Sequence, residues 1–154
     1  MPSEYIMYLS ILLVGSLAIG GISVTMIAIN NSMEDRAIET NMENILQKIA
    51  EAIYGLKESS QLQIAQGATT LDTHVMLSIP EQIQEEEYKI EVIISNLTYS
   101  LKASLIDNPD VSVTVSLLIS PSSISISGLI ESTGAVPRVR FTYDGVTSNI
   151  ILED

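Results

Sequence analysis

The chain has 154 residues, of which 19 are acidic and 7 basic, giving a formal charge of −12, with one histidine and no cysteine. That balance argues against nucleic acid or anionic headgroups as principal partners, and the missing cysteine removes disulfides, thiolate metal sites and a Cys nucleophile. The length leaves room for one membrane-associated segment and one modest globular domain, and excludes two large domains.

The first element is the run from Tyr5 to Ile29, which is apolar or small and neutral at every position. A secretory signal needs only a short apolar core behind a basic flank, and this run is too long and lacks the flank. At about 1.5 Å per residue it reaches across a hydrocarbon core roughly 30 Å thick. The span therefore reads as a helix able to cross a membrane, and its lack of a polar face argues against an ordinary core helix.

Beyond Asn30 the pattern becomes amphipathic. Met33, Ala37, Ile38, Met42, Ile45, Ile49, Ala52, Ile53 and Leu56 recur at steps of three and four, with Glu34, Asp35, Glu39, Glu43, Lys48 and Glu51 between them. The expectation is a helix continuing from Tyr5 to about Leu56, apolar over 5–29 and amphipathic over 33–57, within an N-terminal region 1–58. A break at Asn30-Asn31-Ser32, with a cap opening a second helix, is the alternative.

Residues 59–154 read as strands. The expected runs are Leu62 to Ala65, His74 to Ile79, Tyr88 to Ser95, Thr98 to Ile106, Val111 to Ile119, Ser123 to Glu131, Val139 to Tyr143 and Val146 to Leu152. In VSVTVS, Val111, Val113 and Val115 face one way and Ser112, Thr114 and Ser116 the other. Asp144-Gly145 between two runs predicts a hairpin with a type I′ turn. The fold class expected is α+β, a long N-terminal helix followed by an antiparallel β-sandwich of about seven to eight strands, with the amphipathic stripe packed on one face.

Residues that would carry chemistry are sparse. His74 stands alone in a strand, which supports neither a zinc site nor a Ser-His-Asp triad. No phosphate-binding glycine loop and no nucleophile elbow occurs. Glu85-Glu86-Glu87 and Asp107-Asn108-Pro109-Asp110 lack the ordered spacing of a calcium loop. The reading is a non-enzymatic protein with no cofactor and no metal. Asn30-Asn31-Ser32 and Asn96-Leu97-Thr98 match the N-glycosylation triplet, so Asn30 and Asn96 are candidate acceptors on an extracellular face.

SEYIMYLSILLVGSLAIGG, its amphipathic continuation and a cysteine-free β domain rich in Ser, Thr, Val and Ile together resemble the archaeal type IV pilin-like proteins, the group of pilins and archaellum filament subunits. In that group a short basic leader is cut just before the apolar helix, and only Met1 and Pro2 precede Ser3 here. The resemblance implies a subunit of a helical homopolymer, inserted in the cytoplasmic membrane, passed to a pilus assembly machinery and displayed as an extracellular filament, commonly for adhesion. It also implies that Leu9, Leu12, Leu13, Leu17, Ile22 and Ile27 bury one another in a central helix bundle. Ser16 with Gly20, and Gly21 with Thr25, form small-xxx-small pairs suited to close helix approach. Glu4 resembles the acidic residue that pairs with a neighbouring copy's terminal amine in bacterial pilins. The competing expectation is a single-pass anchor presenting the β domain to a partner, as an archaellum stator-like or minor pseudopilin component would.

Overall fold

A computed structural model describes residues 2–95 and 97–154, with side chains from Tyr5 onward except that of residue 31. One helix, α1 (Pro2–Ala65), precedes seven strands: β1 (Leu71–Met76), β2 (Tyr88–Ser95), β3 (Thr98–Leu105), β4 (Ser112–Ser116), β5 (Ser125–Glu131), β6 (Arg138–Tyr143) and β7 (Ser148–Glu153). The fold is α+β. The chain divides into two compact units, Met1–Ala37 and Ile38–Asp154.

α1 is unbroken through Gly20-Gly21 and through Asn30-Asn31-Ser32, so no second helix begins there. Its stop lies later than the pattern predicts. Gly67, at φ +102°, takes the left-handed position past the helix end, where its N–H donates to the Ile64 carbonyl at 3.0 Å and that of Ala68 to the Gln63 carbonyl at 3.1 Å. This is the paired closure that glycine permits, and it satisfies carbonyls the last turn would leave open. Leu62 to Ala65, expected as a strand, is the final helical turn. The alternation of QLQIA suits either element over so short a run, and the buried Leu56 and Ser60 with half-buried Ile64 recur at the helical step of four.

In the second unit the helix buries Ile38, Met42, Ile45, Leu46, Ile49, Ile53 and Leu56, which share one hydrophobic core with the strands. The strand order is β1-β6-β7-β5-β2-β3-β4. All pairs are antiparallel except β5 with β7. The registers carry a single inner face across the sheet: Val139 lies opposite Leu152, Phe141 opposite Ile150, Ile126 beside Ile150, Ile130 opposite Ile90, and Ala103 opposite Ile90 and Val113. Period-two alternation places every second apolar side chain there.

One open sheet therefore replaces the expected two-sheet sandwich. The second layer over its apolar face is the helix stripe, so no second sheet is required to bury it. The join between the two halves falls within β5. Ser125–Gly128 pair with β7 on one edge, and Leu129–Glu131 pair with β2 on the other.

Two further details depart from expectation. β1 begins at Leu71, so the run of paired residues ends at Met76 and not at Ile79. The β6–β7 hairpin forms at Asp144-Gly145, but the last register pair is Tyr143 with Ser148, which leaves four residues in the loop where a type I′ turn would leave two. Only Gly145 has positive φ, because the Asp144 carboxylate accepts from the N–H groups of Val146 and Thr147 at 2.9 and 2.7 Å and from the Thr147 hydroxyl at 2.9 Å. A local carboxylate-capped turn holds the loop instead.

Candidate functional site

Among the described residues, the N-terminal part of α1 presents a long unbroken run of exposed apolar side chains. Every described side chain from Tyr5 to Asn30 is exposed, among them Leu12 at 75 %, Leu17 at 68 % and Leu13 at 58 %. This one helix is long and apolar enough to cross a membrane, and none of its apolar window is buried within the chain. At about 100° per residue, Leu9, Leu13, Ser16, Gly20 and Ile27 fall in one stripe, with Leu12 and Leu17 at its flanks. Gly21, Ile22 and Thr25 lie on the opposite side. The candidate residues thus surround the helix, and apolar surface faces every direction.

The serine and threonine hydroxyls of the same stretch find their partners within the helix. Ser10 donates to the Ile6 carbonyl at 2.8 Å, Ser16 to that of Leu13 at 2.9 Å, Ser23 to that of Ile19 at 2.9 Å and Thr25 to that of Gly21 at 2.8 Å. These are all the Ser and Thr residues between Tyr5 and Ile29. An unpaired hydroxyl in hydrocarbon costs several kcal/mol, so returning each to a carbonyl one turn back makes the helix compatible with lipid or with a dry bundle. Ser10 and Ser23 had no assigned part in the sequence pattern. Their signal is legible in retrospect, since a helical Ser or Thr always has a carbonyl three or four residues earlier.

Around Gly20 and Gly21 an added Cβ would meet nothing within the chain. Glu4 lies within α1 by backbone, and its side chain is outside those described. Asn30 is an exposed helical residue, while Asn96 lies outside the described residues.

The outer face of the sheet is the second surface with organised chemistry. It holds four of the seven basic residues, Lys89, Lys102, Arg138 and Arg140. Arg140 grips Asp72 through Nε–Oδ1 at 2.9 Å and Nη2–Oδ2 at 2.5 Å, Arg138 Nε meets Glu153 Oε1 at 2.8 Å, and Lys102 Nζ stands 4.0 Å from Glu91. The Arg140 hydrogen bond holds the Asp72 carboxyl below its usual range and Asp72 raises the guanidinium in return. His74 lies opposite Arg140 in the register, exposed at the sheet edge. These pairs run across strands and are open to solvent, so each steadies strand pairing only slightly. Among the described residues, no three His, Asp or Glu side chains converge to hold a metal ion.

A family model described as "Family of unknown function (DUF7266)" matches residues 4–153. Comparison with curated proteins and with solved structures gave no match. The matched region runs from the start of the apolar helix to the last strand, so helix and sheet are parts of one inherited unit.

Proposed function

The chain belongs to the family of unknown function DUF7266, and we propose that it is a structural, non-enzymatic subunit of an extracellular archaeal type IV pilus-like filament. The observation that carries this reading is the stretch Tyr5 to Ile29, exposed on every face with its serine and threonine hydroxyls bonded internally. Such a surface is stable in a bilayer before assembly. Copies of itself can cover it too, with close packing at small residues replacing lipid contact, since passing from lipid to a helix bundle removes no apolar area from water.

In this reading the helices form the filament core and the sheet domains its exterior, delivered by a pilus assembly machinery, with adhesion as the activity. Leu9, Leu12, Leu13, Leu17, Ile22 and Ile27 supply the apolar contact. Ser16, Gly20, Gly21 and Thr25 allow the backbones to approach, and Glu4 neutralises a neighbour's terminal amine. The charge of −12 keeps the exterior solvated.

The experiment is electron microscopy of filaments sheared from cells expressing the gene, with mass spectrometry of the chain's N-terminus. Filaments containing this chain, ending in a processed terminus at the apolar run, are the expected result. Recovery only from detergent-extracted membranes, with no filament under any growth condition, would replace the reading with a single-pass anchor for the sheet domain. Leu13→Asp and Gly20→Ile extend the test. Both should abolish filaments while the sheet domain stays folded, with membrane insertion checked for the Asp variant because a charge at the bilayer centre costs a few kcal/mol.

A further inference from the structure

Between α1 and the segment that joins β1 to β2 lies a groove of about 630 Å³. That volume falls within the roughly 300–1,000 Å³ of small-ligand sites. One wall is helical. Asn41, Asn44, Lys48 and Glu51 follow at steps of three and four, which puts them in one stripe with Gln47 beside it. The other wall is Pro80, Gln82 and Gln84, and the floor is Ile45 and Ile83, both almost fully buried.

The loop wall is fixed from within. The hydroxyl of Tyr88 donates to the Pro80 carbonyl, and Ile83 belongs to the hydrophobic core. Ile83 and Glu86 exchange two backbone hydrogen bonds, each of 3.0 Å, across a two-residue turn in which Gln84 and Glu85 have φ +52° and +70°. Both central positions of such a turn suit glycine or asparagine, so a glutamine stands at the first against backbone preference. Five carboxamides line the groove, those of Asn41, Asn44, Gln47, Gln82 and Gln84, and among the described residues none of them has a hydrogen-bond partner.

We propose that this groove binds a neutral saccharide. A carboxamide both donates and accepts without charge, and a sugar hydroxyl does the same, so the two complement each other in either orientation. The charged residues of the lining, Lys48 and Glu51, cancel, while Glu43, Glu81 and Glu85 adjoin the lining residues in sequence. Anionic ligands are therefore repelled, and Lys48 offsets the carboxylate that would attract a cation. A peptide is less suited, because peptide recognition relies on pockets for side chains, and with Ile45 and Ile83 buried only Pro80 offers exposed apolar lining. A sugar ring needs no such pocket: its C–H face lies on the shallow apolar floor and its hydroxyls meet the walls. The inference rests on the filament reading for its role, since it gives adhesion a class of ligand.

The test is titration of the full chain, in a detergent without a sugar headgroup, with neutral oligosaccharides of glucose, galactose, mannose and N-acetylglucosamine. Sialylated oligosaccharides and an uncharged unstructured peptide are titrated alongside. At least one neutral saccharide should bind at millimolar concentration or below, more tightly than the sialylated forms and the peptide. Asn44→Ala and Gln84→Gly should each weaken that binding about three- to tenfold, as the loss of one neutral hydrogen bond does. Gln61→Ala, exposed on α1 outside the groove, should leave it unchanged. Glycine suits the φ of residue 84, so Gln84→Gly should melt no lower than the wild type, which separates lost binding from misfolding. No neutral saccharide bound, tighter binding of the sialylated forms or the peptide, or wild-type affinity in both groove variants would overturn the assignment and leave the filament reading untouched. Saccharide binding by a chain that forms no filament would uphold the groove and overturn the filament reading alone.

Discussion

Gly128 lies against the backbone of Leu152 so closely that a Cβ on the glycine would strike the Leu152 carbonyl and amide. The two residues are register partners in the single parallel pair, and Gly128 is the point at which β5 passes from pairing with β7 to pairing with β2. At φ +122° it also holds a conformation that side-chain-bearing residues rarely adopt. Gly128→Ala should therefore cost at least about 3 kcal/mol, since strain and overlap with main chain act together. Denaturant unfolding of the detergent-solubilised chain measures this, and a loss below about 1 kcal/mol would show that the sheet halves can shift apart without penalty.

Tyr88 is fully buried at the start of β2, and its hydroxyl donates to the Pro80 carbonyl. Burial pushes its pKa up to about 12. An unfolded tyrosine ionises near pH 10, so between about pH 10 and 12 the unfolded chain releases a proton that the folded chain keeps, and stability falls as pH rises. Tyr88→Phe is expected to lose roughly 1 kcal/mol at neutral pH, with the Pro80 carbonyl unpaired, and to flatten the alkaline slope in that window. Equal slopes for the two proteins in a pH series of melting curves would show that Tyr88 is not the alkaline-sensitive group.

Asp144 behaves in the opposite sense. Hydrogen bonds from the N–H groups of Thr147 and Val146 and from the Thr147 hydroxyl hold its carboxyl below the usual range. A depressed folded pKa contributes stability above the unfolded value near 3.9, and that contribution disappears as pH falls through the folded value. Asp144→Ala should thus melt lower than the wild type at pH 7, and the gap should close in strongly acidic buffer. A gap that is constant with pH would place the effect in loop packing instead of in the carboxylate.

Leu46 and Leu13 offer the sharpest contrast, because they are alike in chemistry and opposite in environment. Leu46 is 0 % exposed in the shared core and Leu13 is 58 % exposed on the apolar helix. Leu46→Ala should destabilise the sheet domain by about 2–5 kcal/mol, the range for buried leucines. Leu13→Ala should leave its unfolding midpoint unchanged. A Leu13 variant that destabilised the domain as much as the Leu46 variant would refute the contrast in environment.

The membrane-compatible helix was legible because an apolar run of that length with no polar face has few other uses, whatever the rest of the chain does. The amphipathic continuation was legible for a similar local reason, since steps of three and four name a helix and its buried side together. Strand positions from β2 to β7 followed from alternation to within a few residues at most ends. Leu62 to Ala65 was misassigned because a short alternating run carries both periods, and the glycine that ends the helix stands further along, at Gly67. Of the candidate residues, the apolar set on α1 was readable by composition alone. The positive φ of Leu97 and Leu118 was not, because both lie at turn positions where no pattern predicts it.

By itself, the sequence determined what each segment had to bury: one segment with apolar surface all round, one with a stripe, and strands with one apolar face each. Hydrophobic periodicity is a local property, so a linear reading reaches it. Which surfaces covered one another was decided only in three dimensions. One sheet backed by the helix, and no sandwich, followed from strand order and from the handover at Gly128, and these depend on pairings between residues far apart in the chain. The same long-range pairings set the Tyr99 backbone against Leu117 and Ile119 with Leu118 exposed between them, while the described side chains from Tyr5 to Ile29 are exposed.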